Sequence, residues 1–174
     1  MADSLFHETR HRYGPVGRVL DRLARAFAIG AGIILTAMAF MSLASVIGRT
    51  VFSKPITGDY ELVQVMSAAA VAMFLPFCQM ANGHVIVDFF TTNLPKRVNH
   101  FLDMIANLLL AIGAFTFSWR IAVGLLELKK SGDATMLLNL PVWYDYIPLM
   151  LSFFLLGCTC LYAAWEDFIK GGRK

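Results

Sequence analysis

The sequence predicts an all-α membrane protein with four transmembrane helices, a short interfacial amphipathic helix between spans 2 and 3, and an amphipathic N-terminal lead-in. Three observations carry this expectation. Only 16% of the residues are charged and 57% are hydrophobic, whereas a soluble domain carries about 25% charged residues. Four separate apolar stretches approach the roughly 20 residues that a helix needs to cross a bilayer. Tryptophan, tyrosine and basic residues gather at the ends of those stretches, as membrane interfaces favour. The 174 residues read as a single four-helix membrane domain with spans at about 26–47, 62–80, 101–126 and 143–165. The polar segments between spans are short and leave no room for a soluble catalytic domain.

The N-terminal lead-in, residues 1–25, sets Arg10, Arg12, Arg18, Arg22 and Arg25 against Asp3, Glu8 and Asp21. Gly14-Pro15 breaks it, and beyond that point Val19, Leu20, Leu23 and Phe27 recur at helical spacing with arginines between them. Such a segment suits the headgroup layer, its arginines near anionic lipid. His7, Glu8, Arg10 and His11 precede any apolar run and no cleavage site follows, so the first span is expected to act as an uncleaved anchor. Span 1 has no charge, and Ala26, Ala28, Gly30, Gly32, Ser42 and Ser45 offer small residues at near-fourfold spacing. In lipid, such a face lets helix backbones approach closely.

Span 2 opens through Asp59 and Glu61, has small residues almost throughout 67–72, and contains Pro76. A proline there removes a backbone hydrogen bond and is expected to bend the helix. In the 81–100 connection, Val85, Phe89 and Phe90 fall on one side, and Asn93-Leu94-Pro95 reads as a stop followed by a new helix start. Span 3 carries Asp103 and Asn107 near its start and Arg120 near its end. Span 4 is entered through Pro141-Val142-Trp143-Tyr144 and left through Trp165.

Topology follows from the lysines and arginines. The N-terminus, the 81–100 connection and the tail hold Arg10, Arg12, Arg18, Arg22, Arg25, Lys96, Arg97, Lys170, Arg173 and Lys174, against Arg49, Lys54, Lys129 and Lys130 in the other two loops. Both termini are therefore expected to be cytoplasmic. The net charge of +3 is modest; its distribution sets topology and gives no footprint for nucleic acid.

Chemistry has few places to sit. Arg49, Glu61, Asp103 and Arg120 are the charges read near membrane depth, none of them central in a span. Glu61 is expected to pair with Arg49 or Arg120 and so fix the spans against each other; each charge reaching separately for water is the plain alternative. His84 and Asp88, four residues apart, share a helix face. They make an incomplete metal pair and a better hydrogen-bonding pair for an interfacial segment. His7, His11, His84 and His100 lie at ends or in loops rather than deep in facing spans, which disfavours haem. Cys78, Cys158 and Cys160 lie in apolar segments without metal-ligand spacing. A stand-alone carrier needs ionisable residues or broken helices at the midplane, and no span shows a central acid. No phosphate loop, nucleophile elbow or HExxH sequence occurs. No catalytic, substrate-binding, cofactor or metal residue is therefore expected. Arg49, Glu61, Pro76, His84, Asp88, Arg120 and Trp143 stand as structural or partner-interface candidates.

A set of residues in fixed order goes further. Arg49, Phe52 and Pro55-Ile56 precede span 2, Glu61-Leu62 opens it, and Leu75-Pro76 lies in its second half. Gly83-His84-Val85-Ile86-Val87-Asp88, Leu94-Pro95-Lys96-Arg97 and Leu140-Pro141-Val142-Trp143 follow. Over about residues 18–165 this set resembles the small membrane subunit (DctQ type) of tripartite ATP-independent periplasmic (TRAP) transporters. Asp59-Tyr60 stands where many relatives carry an aromatic or second acid just before the Glu-Leu pair.

The resemblance implies a non-catalytic small permease subunit in the bacterial inner membrane, part of a secondary, sodium-coupled, binding-protein-dependent transporter for organic acids. In such systems a periplasmic binding protein delivers the acid, and a large membrane subunit carries it by an elevator-type movement. The small subunit packs beside the large one's scaffold and binds no substrate. The implied partners are the large membrane subunit in a stable heterocomplex, the periplasmic substrate-binding protein transiently, and membrane lipid, with no nucleic acid. Phe52, Lys54, Lys129 and Lys130 are the candidates for contact with the binding protein. Two other classes make different predictions: a redox-enzyme membrane anchor would show haem absorbance, and a stand-alone carrier would support uptake by itself.

Overall fold

A computed structural model describes residues 15–52, 58–81 and 96–171. Its elements, in chain order, are α1 (Pro15–Phe52), α2 (Asp59–Met80), α3 (Lys96–Ser131) and α4 (Trp143–Gly171). All are long and apolar enough to cross a membrane, and the protein is an all-α membrane protein. The short helix expected between spans 2 and 3 lies outside the described residues, as do His84 and Asp88.

Helix lengths sort the elements by reach. At about 1.5 Å per residue, the 22 residues of α2 extend about 33 Å, close to the roughly 30 Å hydrocarbon core. The 38 residues of α1 and the 36 of α3 extend about 57 and 54 Å, so both carry turns beyond that thickness. The lead-in and span 1 are one unbroken helix, with no joint at Ala26. Pro15 begins it, where a missing N–H costs nothing because first-turn donors have no intrahelical acceptor. Pro76 is fully buried inside α2, and α4 likewise contains Pro148.

Spatial order differs from chain order. Helix α1 lies against α2, α2 against α4, and α4 along α3 over the broadest contact; α1 also touches α4 along a narrow strip. Chain order alone would set α3 beside α2, and these helices do meet through the hydrogen bond from Gln79 Nε2 to Asn107 Oδ1, 2.8 Å.

The buried faces follow a repeat of seven rather than four. On α1 they are Gly17, Ala24, Ala31 and Ser45; on α2, Ala69, Ala72, Pro76 and Gln79 recur at steps of three and four. On α3 the same steps give Ala111, Ala114 and Ser118. This is the seam spacing of helices crossing at a shallow left-handed angle. The alanines expected at 69, 70 and 72 are buried. On α1 the expected small-residue face is met in part: Ser45 is buried and a Cβ at Gly30 would stand 3.0 Å from Met73 Cε, whereas Gly32 meets nothing within 4 Å and Ala26 is exposed. Small side chains fill the interior because lipid solvates Leu and Phe as well as a protein core does, leaving close packing to drive association. Phe40, Phe117 and Trp119 accordingly face outward. At Gly157 a Cβ would stand 2.9 Å from the Phe115 ring, so glycine there admits the aromatic between α3 and α4.

Candidate functional site

The densest polar structure among the described residues lies where α2 begins and the α3–α4 loop folds over it. Gly58 caps α2 in the left-handed region, φ 85°. A Cβ at this position would also lie 2.5 Å from Leu138 Cγ, so glycine is demanded by both conformation and space. Asp59 and Glu61 follow in the first turn, where the helix dipole favours carboxylates.

The two acids hold different elements. Asp59 Oδ2 accepts a hydrogen bond from Ser45 Oγ of α1, and its Oδ1 accepts from the Tyr60 backbone N–H at 2.8 Å. Arg49, one turn beyond Ser45, acts electrostatically on Asp59. Glu61 reaches the loop instead: Leu137 N–H donates to Oε1 at 3.1 Å and to Oε2 at 3.3 Å, and Leu138 N–H donates to Oε2 at 3.3 Å. No lysine or arginine of the described residues is in salt-bridge reach of Glu61; their ion pair is Arg25 with Asp21. The expected pairing of Glu61 with Arg49 or Arg120 is thus replaced by backbone donors, because the folded loop brings two N–H groups closer than either guanidinium. Arg120 is exposed on α3.

The loop is built to present those donors. Gly132 (φ 71°) and Asn139 (φ 53°) turn the chain with positive φ, a conformation that Gly and Asn adopt most readily. Thr135 ties the turn together: its N–H donates to Leu140 O (2.9 Å), its carbonyl accepts from Asn139 N–H (3.0 Å), and its Oγ1 accepts from Leu140 N–H (3.1 Å). Val142 N–H closes the base on Asp133 O at 3.1 Å. The tip is apolar and open, Met136 being 99% and Leu137 68% exposed. Beneath it, Trp143 stacks on Tyr144 with ring centroids 4.0 Å apart, and Lys129 Nζ lies 5.5 Å from the Trp143 ring.

Between loop, α2 and α4 lies a pocket of about 170 Å³. Glu61 and Val65 line it from α2, Leu138 and Leu140 from the loop, and Tyr144 and Asp145 from α4. Asp145 Oδ1 is shut off from solvent with no hydrogen-bond partner. Asp145 was absent from the charges expected at membrane depth; its place just past Trp143, inside span 4, is the sequence signal that marks it. The loop's role had no comparable signal, since Leu137 and Leu138 act through backbone N–H groups that every residue carries.

Of the seven candidates, Arg49, Glu61 and Trp143 come to this end of the bundle, Pro76 lies buried within α2, Arg120 faces out from α3, and His84 and Asp88 lie outside the described residues. Among the described residues no group of three His, Cys, Asp or Glu is gathered to hold a metal. The arrangement can fasten helices and present a surface; it offers no paired nucleophile and base.

Comparison with curated proteins and with solved structures returns no match. The family model described as "Tripartite ATP-independent periplasmic transporters, DctQ component" matches residues 38–170. That match takes in the end of α1, the Gly58 joint, the 132–142 loop and all but the last residue of α4. The chain belongs to the DctQ family, the small membrane component of tripartite ATP-independent periplasmic transporters.

Proposed function

We propose that this chain is the non-catalytic scaffold of a sodium-coupled, binding-protein-dependent transporter for organic acids, holding the large transport subunit in the bacterial inner membrane. The observation that supports it most is the make-up of the interior, where among the described residues small Ala, Ser and Thr side chains pack between the helices and no charged side chain is buried. Transport by the chain itself would call for a charged path across the spans. Polar side chains fasten the helices at both ends of α2, Asp59 and Glu61 holding α1 and the loop at its start and Gln79 holding Asn107 of α3 near its finish. A moving carrier needs a stationary neighbour, and helices fastened in this way resist sliding past each other. In this arrangement the 174 residues act as one membrane domain with both termini cytoplasmic, and Lys129 and the Met136–Leu137 tip face the periplasmic binding protein.

Co-expression with a candidate large subunit, and purification through a tag on this chain, tests the proposal. A stable complex with sodium-dependent organic-acid uptake that is lost without this chain is the expected result. Recovery of the chain alone, or uptake that does not need it, would refute it.

A further inference from the structure

We propose that the pocket between α2, α4 and the 132–142 loop receives a lysine or arginine side chain of the large membrane subunit, which pairs with Asp145. The proposal rests on the scaffold function above and deepens it by naming the chemistry of one contact. Asp145 Oδ1 is closed off from solvent and accepts no hydrogen bond. A carboxylate in that setting is expensive unless a cation or donors reach it. Among the described residues none does: the ion pair there is Arg25 with Asp21, no charge of the chain acts on Asp145, and Lys129 is engaged over the Trp143 ring. Glu61, on another wall, already accepts from two backbone N–H groups.

The cavity's shape selects the occupant. Its volume of about 170 Å³ suits the end of one long side chain and is far too small for another helix. Val65, Leu138, Leu140 and Tyr144 give it apolar walls, which match a methylene stem, while the two carboxylates match the charged head. The loop, α2 and α4 each contribute to the lining of the pocket. Glu61, Val65, Tyr144 and Asp145 belong to helices long and apolar enough to cross a membrane, against which a membrane subunit packs. Among the described residues the helices contribute no such cation, and we assign it to the partner.

The test is a tagged chain co-expressed with the large subunit, comparing wild type, Asp145→Asn and the exposed-acid control Asp133→Asn. Asn keeps the shape and removes the charge. The expected result is a tenfold or greater loss of large subunit recovered with Asp145→Asn, wild-type recovery with Asp133→Asn, and a melting temperature of the Asp145→Asn chain alone no lower than wild type. Asp145→Lys should abolish recovery, and reversing one lysine or arginine of the large subunit to aspartate should restore it. That exchange decides the matter even where Asp145→Asn weakens the chain itself. Wild-type recovery with Asp145→Asn overturns the proposal, including the case in which the variant loses only a bound aminophospholipid in native mass spectrometry. Failure of charge reversal at every basic residue on the large subunit's membrane face also overturns it. If the wild-type chain recovers no large subunit, the scaffold function itself falls, a result distinguishable from both.

Discussion

Replacing Glu61 with Gln probes the joint most directly, because the change keeps the side chain's size and removes its charge. In the native protein the carboxylate accepts from Leu137 and Leu138 N–H at 3.1–3.3 Å. A hydrogen bond to a charged group contributes about 1.5–3 kcal/mol. Glutamine retains one acceptor oxygen, so one bond survives in weaker, uncharged form while its NH₂ group faces a backbone donor. Glu61 is half-buried and solvent offsets part of the loss, which places the expected destabilisation at about 1–2 kcal/mol. For a chain of this length each kcal/mol lowers the melting temperature by about 2–4 °C, giving a fall of about 2–8 °C in detergent. Trypsin supplies a local readout, since Lys129 and Lys130 adjoin the loop, and cleavage there should quicken. Doubling the change with Arg49→Gln or Arg120→Gln should be additive within about 0.3–0.5 kcal/mol. Unchanged melting and proteolysis, or a clear coupling to either arginine, would refute the backbone-donor account and restore the ion pair.

Gly58→Ala should lower the melting temperature further than Glu61→Gln, because it adds a left-handed penalty of about 1–2 kcal/mol to the collision with Leu138, 2.5 Å from the added carbon. Adding Leu138→Ala should recover the collision but not the conformational part; full recovery or none would contradict this division. Single cysteines at positions 54 and 96, in a chain with Cys78, Cys158 and Cys160 replaced, should respond oppositely to a membrane-impermeant thiol reagent added from outside. Labelling is expected at 54 and not at 96, and the reverse pattern would invert the topology.

The four-helix class and the span positions were legible because hydropathy over about 20 residues is a local property that no partner can change. The Gly58 joint was half legible. Gly58, Asp59 and Glu61 announce a helix start through turn and dipole chemistry, but nothing in their types says whether Glu61 meets a guanidinium or a backbone N–H. Span 1 was legible in part for a related reason: Ser45 and Gly30 of the expected face do pack inward, but Ala and Gly are so frequent along it that the sevenfold positions Ala24 and Ala31 do not stand out.

The sequence by itself determined that this chain crosses a membrane on four helices and which family it belongs to. Composition and short-range order suffice for those conclusions, since each rests on residues close together in the chain. The tertiary structure alone decided that α4 rather than α3 lies along α2, that Leu137 and Leu138 supply the partners of Glu61 across more than seventy residues, and that Asp145 closes a pocket with an oxygen left unmatched. These depend on which faces pack at long range. Where the buried faces are nearly all small residues, many pairings look alike in sequence, and close fit in three dimensions selects among them.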